Sequence, residues 1–170
     1  EKIPMEDMCQ LTERQTEYKY KSSYEQIAKV IAKYSYAPLL DLTDFYEQVF
    51  FSWLVGNNDM HLKNFSLYAP KGKWGLTPAY DQLNVTLVNP KDNEELALTL
   101  NARKKRINKA DFVKAMETSG ITPKVFENIV AKYRKLLPKF NEVIDMSFLD
   151  DKDKEIYKQI IASRLERMDR

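Results

Sequence analysis

The chain has 170 residues and a mass of 20.0 kDa, which fits one domain. Its 44% apolar content argues against wholesale disorder, and 27 basic against 25 acidic residues argue against a generally basic surface for nucleic acid or membranes. Cys9 is the only cysteine, which excludes an intrachain disulfide and a thiolate-rich metal site and favours a reducing compartment.

The first half of the chain begins with two predicted helices. The pattern Ser22-x-x-Glu25 has capping-box spacing and predicts a helix over about 23–34. The next helix is predicted to begin near Thr43 and to end before Gly56, which suits the position after a helix end. Large apolar residues recur at helical spacing along this second helix, so we expect it to be central.

A polar loop and a β-hairpin are predicted in the middle of the chain. The stretch 57–61 has neither a helical nor a strand period. Residues 65–68 and 76–80 are predicted to pair as a hairpin across the turn signal at 70–75, and the alternation over 96–100 predicts another strand.

The remainder of the chain is predicted to be helical. One helix runs from about residue 108 to Gly120, one runs from a Thr122 cap to Pro138, and the last covers about 151–168. No stretch approaches the apolar length that a membrane helix needs. The sequence therefore predicts a mainly helical domain with a small inserted β-hairpin.

The loop after the central helix carries the residues that point to chemistry. His61 is the only histidine, and Asp59 and Asn64 are five positions apart, as are the catalytic-loop Asp and the metal-binding Asn of protein kinases. An aspartate there can orient an attacking hydroxyl and accept its proton, and an amide oxygen can hold Mg²⁺. Asp81 follows the predicted hairpin and would complete the Mg²⁺ site, while Lys63 would neutralise charge on phosphoryl oxygens.

Three segments in this order resemble one protein family. They are Met5–Gln10 (MEDMCQ), Asn58–Ser66 (NDMHLKNFS) and Leu76–Asp81 (LTPAYD). The second matches the pattern (N/T)-D-x-H-x-K-N-F-S and the third matches L-x-P-x-Y-D of the HipA family, bacterial Ser/Thr kinases that act as toxins of toxin–antitoxin pairs. The chain is also similar, more loosely, to phosphoinositide-kinase-like enzymes.

The resemblance implies roles for individual residues. Asp59 corresponds to the catalytic aspartate, with His61 and Lys63 in the same catalytic motif. Lys63, Asn64 and Asp81 correspond to positions that bind the nucleotide, and Asn64 and Asp81 are the implied metal ligands.

The resemblance also implies a fold and a reaction. Residues 1–170 would form a single domain, the helical protein-kinase-like C-terminal lobe, with ATP and Mg²⁺ as cofactors and a Ser or Thr hydroxyl of a protein as acceptor. A cytoplasmic location and a DNA-binding antitoxin partner belong to the same expectation.

Two departures from the kinase pattern qualify that expectation. Gln82-Leu83 follows Asp81 where ordinary protein kinases have Phe-Gly. The family's phosphate-gripping loop and ATP-anchoring Lys precede the first motif, and Glu1 is not an initiator residue. We therefore expect the N-terminal lobe to lie outside this chain and the isolated chain to show little or no kinase activity.

Three other functions stay open on the sequence alone. The chain can be the lobe of a lipid or small-molecule kinase, a helical interaction module without activity, or a metal-dependent hydrolase using Asp59, His61 and Asp81. The basic run 103–106 predicts a solvated face or a contact with an acidic partner. The tyrosine-rich stretch 18–36 is predicted to be half-buried packing.

Overall fold

The computed structural model describes residues 2–169, and helices make up most of it. The helices are α1 (Met8–Leu11), α2 (Tyr24–Tyr34), α3 (Pro38–Val55), α4 (Val85–Val88), α5 (Lys109–Glu117), α6 (Pro123–Asp145) and α7 (Asp151–Arg167). The strands are β1 (Met5–Asp7), β2 (Ser66–Tyr68) and β3 (Gly75–Leu76), which form one antiparallel sheet in the order β1-β2-β3. The predicted fold class, mainly α with a small β-hairpin, is confirmed. None of the described helices combines the length and apolarity needed to span a membrane.

Helix α3 is the centre of the core, as its apolar density predicts. It packs against α2 and α7, and its most deeply buried side chains are Phe45, Tyr46, Val49, Phe50, Trp53 and Leu54. The helix begins at Pro38 and not at Thr43, because the fixed φ of proline suits a first helical position. The Thr43 hydroxyl instead donates to the Leu39 carbonyl inside the helix (2.9 Å).

The sheet brings the beginning of the chain alongside the hairpin. Leu67 lies opposite Leu76 in the hairpin, and its second arm is shorter than predicted because only Gly75 and Leu76 pair with β2. The unpredicted strand β1 pairs with the other edge of β2, with Asp7 opposite Ser66. This pairing places Asp7 next to the polar loop that precedes β2.

Two local predictions in the first half need correction. Helix α2 is capped by Ser23, whose hydroxyl oxygen accepts from the Gln26 N–H (3.2 Å), and not by Ser22. The Glu25 carboxylate does not close a capping box. It accepts from the Asn101 N–H (2.6 Å) and so connects α2 to the segment before α5.

The predicted strand over 96–100 is wrong, because no segment within residues 2–169 pairs with it in a continuous ladder. Thr99 forms only an isolated bridge with Ser23, and Leu100 forms one with Arg103. The alternating leucines are nevertheless all buried, so the pattern reflects burial of an extended segment and not a strand.

Helix α6 continues through Pro138 to Asp145, although a stop at the proline was predicted. The helix loses one hydrogen bond there, but the following turns keep an apolar face on the core. Phe140 stacks on Tyr133 with ring centroids 6.1 Å apart, and Ile144 is buried. Burial of this face outweighs the cost of the proline.

Candidate active site

The polar loop starts from a fixed point at the end of α3. Gly56 has a φ of +85°, and a side chain there would meet Asn84 Oδ1 at 2.8 Å, so both the backbone and the space require glycine. The Gly56 carbonyl accepts from the Val85 N–H (3.1 Å) and from the Thr86 hydroxyl (2.9 Å). Helix α4, which was not predicted, thus hydrogen-bonds to the residue that ends α3 and fixes the point from which the polar loop leaves that helix.

The buried side chain of Asn57 connects the two aspartates of the predicted site. Its Oδ1 accepts from the Asp59 N–H (3.2 Å), and its Nδ2 donates to the Asp81 carbonyl (2.9 Å). Asn57 is 1% exposed, so this connection lies in the interior of the domain. One amide therefore holds the backbone of both segments, which are far apart in the sequence.

Asn64 and Asp81, the predicted metal ligands, are in direct contact. Asn64 Nδ2 donates to Asp81 Oδ2 (2.5 Å), and Asn64 Oδ1 accepts from the His61 N–H (3.2 Å). Asn64 is buried, whereas Asp81 is exposed and has a φ of +56°, a left-handed conformation that aspartate tolerates better than most residues. The strained turn at Asp81 presents its carboxylate to solvent beside the loop.

Asp59 is held by a residue that the sequence did not connect to the site. The Tyr20 hydroxyl donates to Asp59 Oδ1 (2.6 Å), and the Tyr20 ring meets the His61 ring edge-on at 5.0 Å. Burial and this hydrogen bond raise the pKa of Tyr20 to about 12, so the hydroxyl remains a donor at neutral pH. The tyrosine-rich stretch was predicted to be packing, and no motif marks Tyr20.

His61 is buried in the same loop with an unsatisfied ring nitrogen. It is 7% exposed, and its Nδ1 has no hydrogen-bond partner among residues 2–169. Burial and the nearby Lys19 lower the pKa of His61, while Asp59 and Asp81 act in the opposite direction. The imidazole therefore binds a proton less readily than a solvent-exposed histidine does.

We expect the imidazole of His61 to titrate below about 6.5, the value of an unperturbed histidine. Because the unfolded chain then binds a proton that the folded chain does not, stability should fall as the pH drops below about 6.5 through the folded pKa. Nuclear magnetic resonance can follow this directly, since the chain has one histidine. The variant His61→Asn should lack this part of the pH dependence, and a midpoint at or above 6.5 would contradict the assignment.

The Lys63 ammonium forms an ion pair with Asp7 and not with Asp81. Its Nζ is 2.7 Å from Asp7 Oδ2, and the hydrogen bond and charge of Asp7 raise the pKa of Lys63. The backbone carbonyl of Lys63 accepts from the Tyr80 hydroxyl, which also bonds Ser66 Oγ (2.9 and 2.6 Å). Lys63 thus joins the first motif of the sequence to the second, and its predicted contact with phosphate stays a prediction.

The residue after Asp81 is fixed by polar contacts where many kinases have an aromatic ring. Gln82 Oε1 accepts from the Ser52 hydroxyl of α3 (3.0 Å), and Gln82 Nε2 contacts the Met60 sulfur (3.6 Å). These contacts tie the segment that carries Asp81 to both α3 and the loop.

The donors that a metal ion would find here are few. Within residues 2–169 no group of three His, Cys, Asp or Glu side chains could hold a metal ion. The predicted pair of Asn64 and Asp81 offers one amide oxygen and one carboxylate, both hard oxygen donors of the kind that Mg²⁺ prefers.

The amino-acid sequence matches the family described as HipA-like C-terminal domain over residues 1–140. Two relatives carry the name "Putative kinase". The Haemophilus influenzae protein is 30% identical over 144 residues, covering 75% of this chain and 42% of that protein. The Sinorhizobium fredii protein Y4dM is 34% identical over 105 residues, covering 61% of this chain and 25% of that protein. The chain therefore spans less than half the length of these relatives.

The fold is also similar to solved structures. HipA in the Shewanella oneidensis complex of HipA, HipB and operator DNA aligns with a TM-score of 0.84 at 21% identity, over 98% of this chain and 44% of that one. The Helicobacter pylori proinflammatory kinase CtkA aligns with a TM-score of 0.61 at 16% identity, over 98% of this chain and 64% of that one. The resemblance drawn from the three motifs is confirmed, and the shared fold is kinase-like.

Proposed function

We propose, because this chain belongs to the HipA-like C-terminal domain family, that it is the C-terminal lobe of a Ser/Thr protein kinase of the toxin–antitoxin type. The reaction would transfer the γ-phosphoryl group of ATP to a protein hydroxyl with the help of Mg²⁺. Its relatives extend well beyond the matched region, and we assign the remaining wall of the nucleotide site to a second lobe.

One observation carries this proposal. Asp59, Asn64 and Asp81 belong to a single hydrogen-bonded unit, in which Asn57 joins the two aspartates and Asn64 contacts Asp81. Asn57 connects the backbones of Asp59 and Asp81, and Asn64 bonds the Asp81 carboxylate, so two buried amides organise these two segments. That use of buried polar groups favours a catalytic site over an interaction module alone. The arrangement has the parts that phosphoryl transfer requires, a proton acceptor beside a set of hard oxygen donors.

Asp59 is the residue that would receive the acceptor hydroxyl. Its Oδ1 is occupied by Tyr20, and its Oδ2 has no hydrogen bond to any residue within the described range 2–169. Asp59 is half-buried at the start of the loop, so an acceptor side chain can reach it. The free oxygen would orient the hydroxyl and take its proton as the oxygen–phosphorus bond forms.

Asn64 and Asp81 would hold Mg²⁺, which supplies positive charge next to the phosphate oxygens. The donor set fits such an ion because one carboxylate and one amide leave the remaining coordination positions to phosphate and water. In the structure Asn64 directs its Nδ2 to Asp81 and its Oδ1 to the His61 N–H, so the amide would turn to place Oδ1 on an ion held by Asp81.

The variant Asn64→Asp tests the cation site. It replaces the donor to Asp81 Oδ2 with a second carboxylate, so without Mg²⁺ we expect a loss of stability of about 1.5–3 kcal/mol, the range for losing a hydrogen bond to a charged group. Millimolar MgCl₂ should restore much of the melting temperature, and it should restore more than NaCl of equal ionic strength. Equal recovery in the two salts would show that no cation binds between these side chains.

The proposed partner is a DNA-binding antitoxin protein. The HipA structure to which this fold is similar contains HipB and operator DNA, and that complex supports the same class of partner for this chain. A cytoplasmic location follows from such a partnership, and the one cysteine, Cys9, is free and buried. The balance of 27 basic and 25 acidic residues gives no signal for direct contact with nucleic acid.

The function is tested with the whole protein, Mg²⁺, radiolabelled ATP and a panel of protein, lipid and small-molecule hydroxyl acceptors. We expect label on Ser or Thr of a protein acceptor. The 170-residue chain alone should give little or no transfer, because its four glycines are scattered and form no phosphate-binding loop. Label on a lipid alone, or on no acceptor, would overturn the proposal.

A further inference from the structure

The segment that leads into α2, together with the first residue of that helix, contacts the candidate catalytic loop at three points. Each contact is a hydrogen bond to a different residue of the loop: the Leu62 N–H donates to the Lys19 carbonyl (3.2 Å), the Tyr20 hydroxyl donates to Asp59 Oδ1 (2.6 Å), and the Tyr24 hydroxyl donates to the Met60 carbonyl (3.0 Å). Two of these bonds fix the backbone of the loop, and one of them fixes a side chain. The bond to the side chain is the one made to Asp59.

Burial does not explain why Tyr20 makes this contact. Tyr20 is 42% exposed, so water could satisfy its hydroxyl, yet the hydroxyl lies 2.6 Å from a carboxylate oxygen. That distance is typical of a charge-assisted hydrogen bond. The ring is oriented by its neighbours, since its edge contacts the His61 ring and the Lys19 ammonium lies 5.0 Å from its centroid.

We propose that Tyr20 is a positioning residue, whose hydroxyl holds Oδ1 of Asp59 so that Oδ2 is presented to the acceptor. This assignment rests on the function proposed above. The backbone of Asp59 is fixed by Asn57, but within residues 2–169 its carboxylate is fixed by Tyr20 alone. Without that bond the Asp59 carboxylate rotates about its Cβ–Cγ bond and is solvated at both oxygens. Binding of the acceptor hydroxyl must then fix the orientation of the carboxylate in each catalytic cycle.

If Tyr20 had a blocking role, removing its hydroxyl would change the rate of phosphoryl transfer in the opposite direction. If the phenol occupied the place of the acceptor hydroxyl, it would block Asp59, and its removal would speed the reaction. The observation that Asp59 keeps a second oxygen without a partner favours positioning, because the acceptor does not need to displace Tyr20. The two roles are separated by one substitution.

The variant Tyr20→Phe in the whole protein is the test. It removes one oxygen and leaves the ring against His61 and Lys19. We expect kcat for transfer to a protein acceptor to fall about ten- to a hundredfold, as for the loss of one hydrogen bond to a charged group, with the KM for ATP unchanged. The same change at Tyr18 is the matched control, since Tyr18 is 43% exposed in the same segment and its kcat should equal that of the wild type.

Three further results complete the test. In a protein that carries Asp59→Asn, adding Tyr20→Phe should lower any residual transfer no further, because the two residues act as one unit. An active wild-type protein with an unchanged or faster Tyr20→Phe variant would overturn the positioning role and leave the proposed function standing. A wild-type protein that transfers no phosphate to any acceptor would overturn both.

Discussion

The variant Asp59→Asn is expected to lower phosphoryl transfer by the whole protein about a thousandfold while the domain stays folded. The loss follows from removing the proton acceptor, since a positioned general base contributes roughly 10²–10⁴ in rate. The fold should persist because the new amide occupies nearly the same volume. Its oxygen can still accept from the Tyr20 hydroxyl, and the Asp59 backbone keeps its bond to Asn57.

Asp145→Asn provides the matched control for this experiment. Asp145 is an exposed residue at the end of α6 whose carboxylate pairs with Lys158 (2.6 Å), so the same chemical change should leave kcat unaltered. Thermal unfolding followed by circular dichroism should give both variants transitions close to that of the wild type. An Asp59→Asn protein that transfers phosphate at the wild-type rate would exclude Asp59 as the catalytic residue.

The sequence identified those site residues that are joined by short stretches of chain. Asp59, His61 and Asn64 lie in one loop, and a hairpin returns the chain to Asp81, so spacing alone predicts their proximity. Tyr20 lies 39 positions before Asp59 and reaches it only because α2 packs on α3. No periodicity or motif encodes that contact. The metal and phosphate roles of these residues remain predictions.

Lys63 makes a second contact that its motif does not encode. While the phosphate contact that the motif predicts stays a prediction, the ion-pair partner Asp7 lies 56 positions away and is brought to Lys63 by strand β1. A three-residue strand gives no period from which to predict it. The side chain of a motif residue can thus form an ion pair between two motifs in addition to any part it takes in the reaction.

Helix and strand boundaries were predictable where the local sequence signal and the tertiary packing favour the same structure. Gly56 ends α3 as expected, because the left-handed conformation there and the close approach of Asn84 both require glycine. Pro138 failed to end α6, because the apolar face beyond it is buried by tertiary packing that the local sequence does not reveal. The segment 96–100 does not form a strand although its apolar residues alternate. A strand also needs a neighbouring strand to pair with, and the local sequence does not show whether one is present.

That segment begins beside Glu95, the residue on which we expect the largest stability effect. Its carboxylate accepts four hydrogen bonds, from Trp53 Nε1 (2.9 Å), Arg167 Nη1 (2.9 Å), Ile107 N (3.2 Å) and Arg106 N (3.3 Å). The donors come from α3, from α7 and from the end of the basic run. One carboxylate therefore connects α7 and residues 106–107 to the central helix α3.

The variant Glu95→Ala should lower the free energy of unfolding by about 3 kcal/mol, because it removes a half-buried carboxylate from a charged network and leaves a buried donor without a partner. It leaves the Trp53 N–H unpaired in the core. It also removes the counter-charge of Arg164, which is buried with its guanidinium over the Trp53 ring. Burial lowers the pKa of Arg164 to about 10, and Glu95 acts in the opposite direction. Urea unfolding of the chain measures the loss.

The neighbouring residue Glu94 gives a matched control, because its side chain is 40% exposed and makes one ion pair, with Lys104 (3.3 Å). Glu94→Ala should therefore lower the free energy of unfolding by no more than about 1 kcal/mol.

Burial raises the pKa of Glu95, but the hydrogen bonds from Arg167 and Trp53 outweigh that effect, so the pKa of Glu95 lies below its ordinary value. The stabilisation from its carboxylate is then present above about 4.5 and is lost as the pH falls through the folded pKa. The difference between the wild type and Glu95→Ala should narrow in acid. A gap that stays constant with pH, or a cost equal to that of Glu94→Ala, would show that these four hydrogen bonds do not hold α7 on α3.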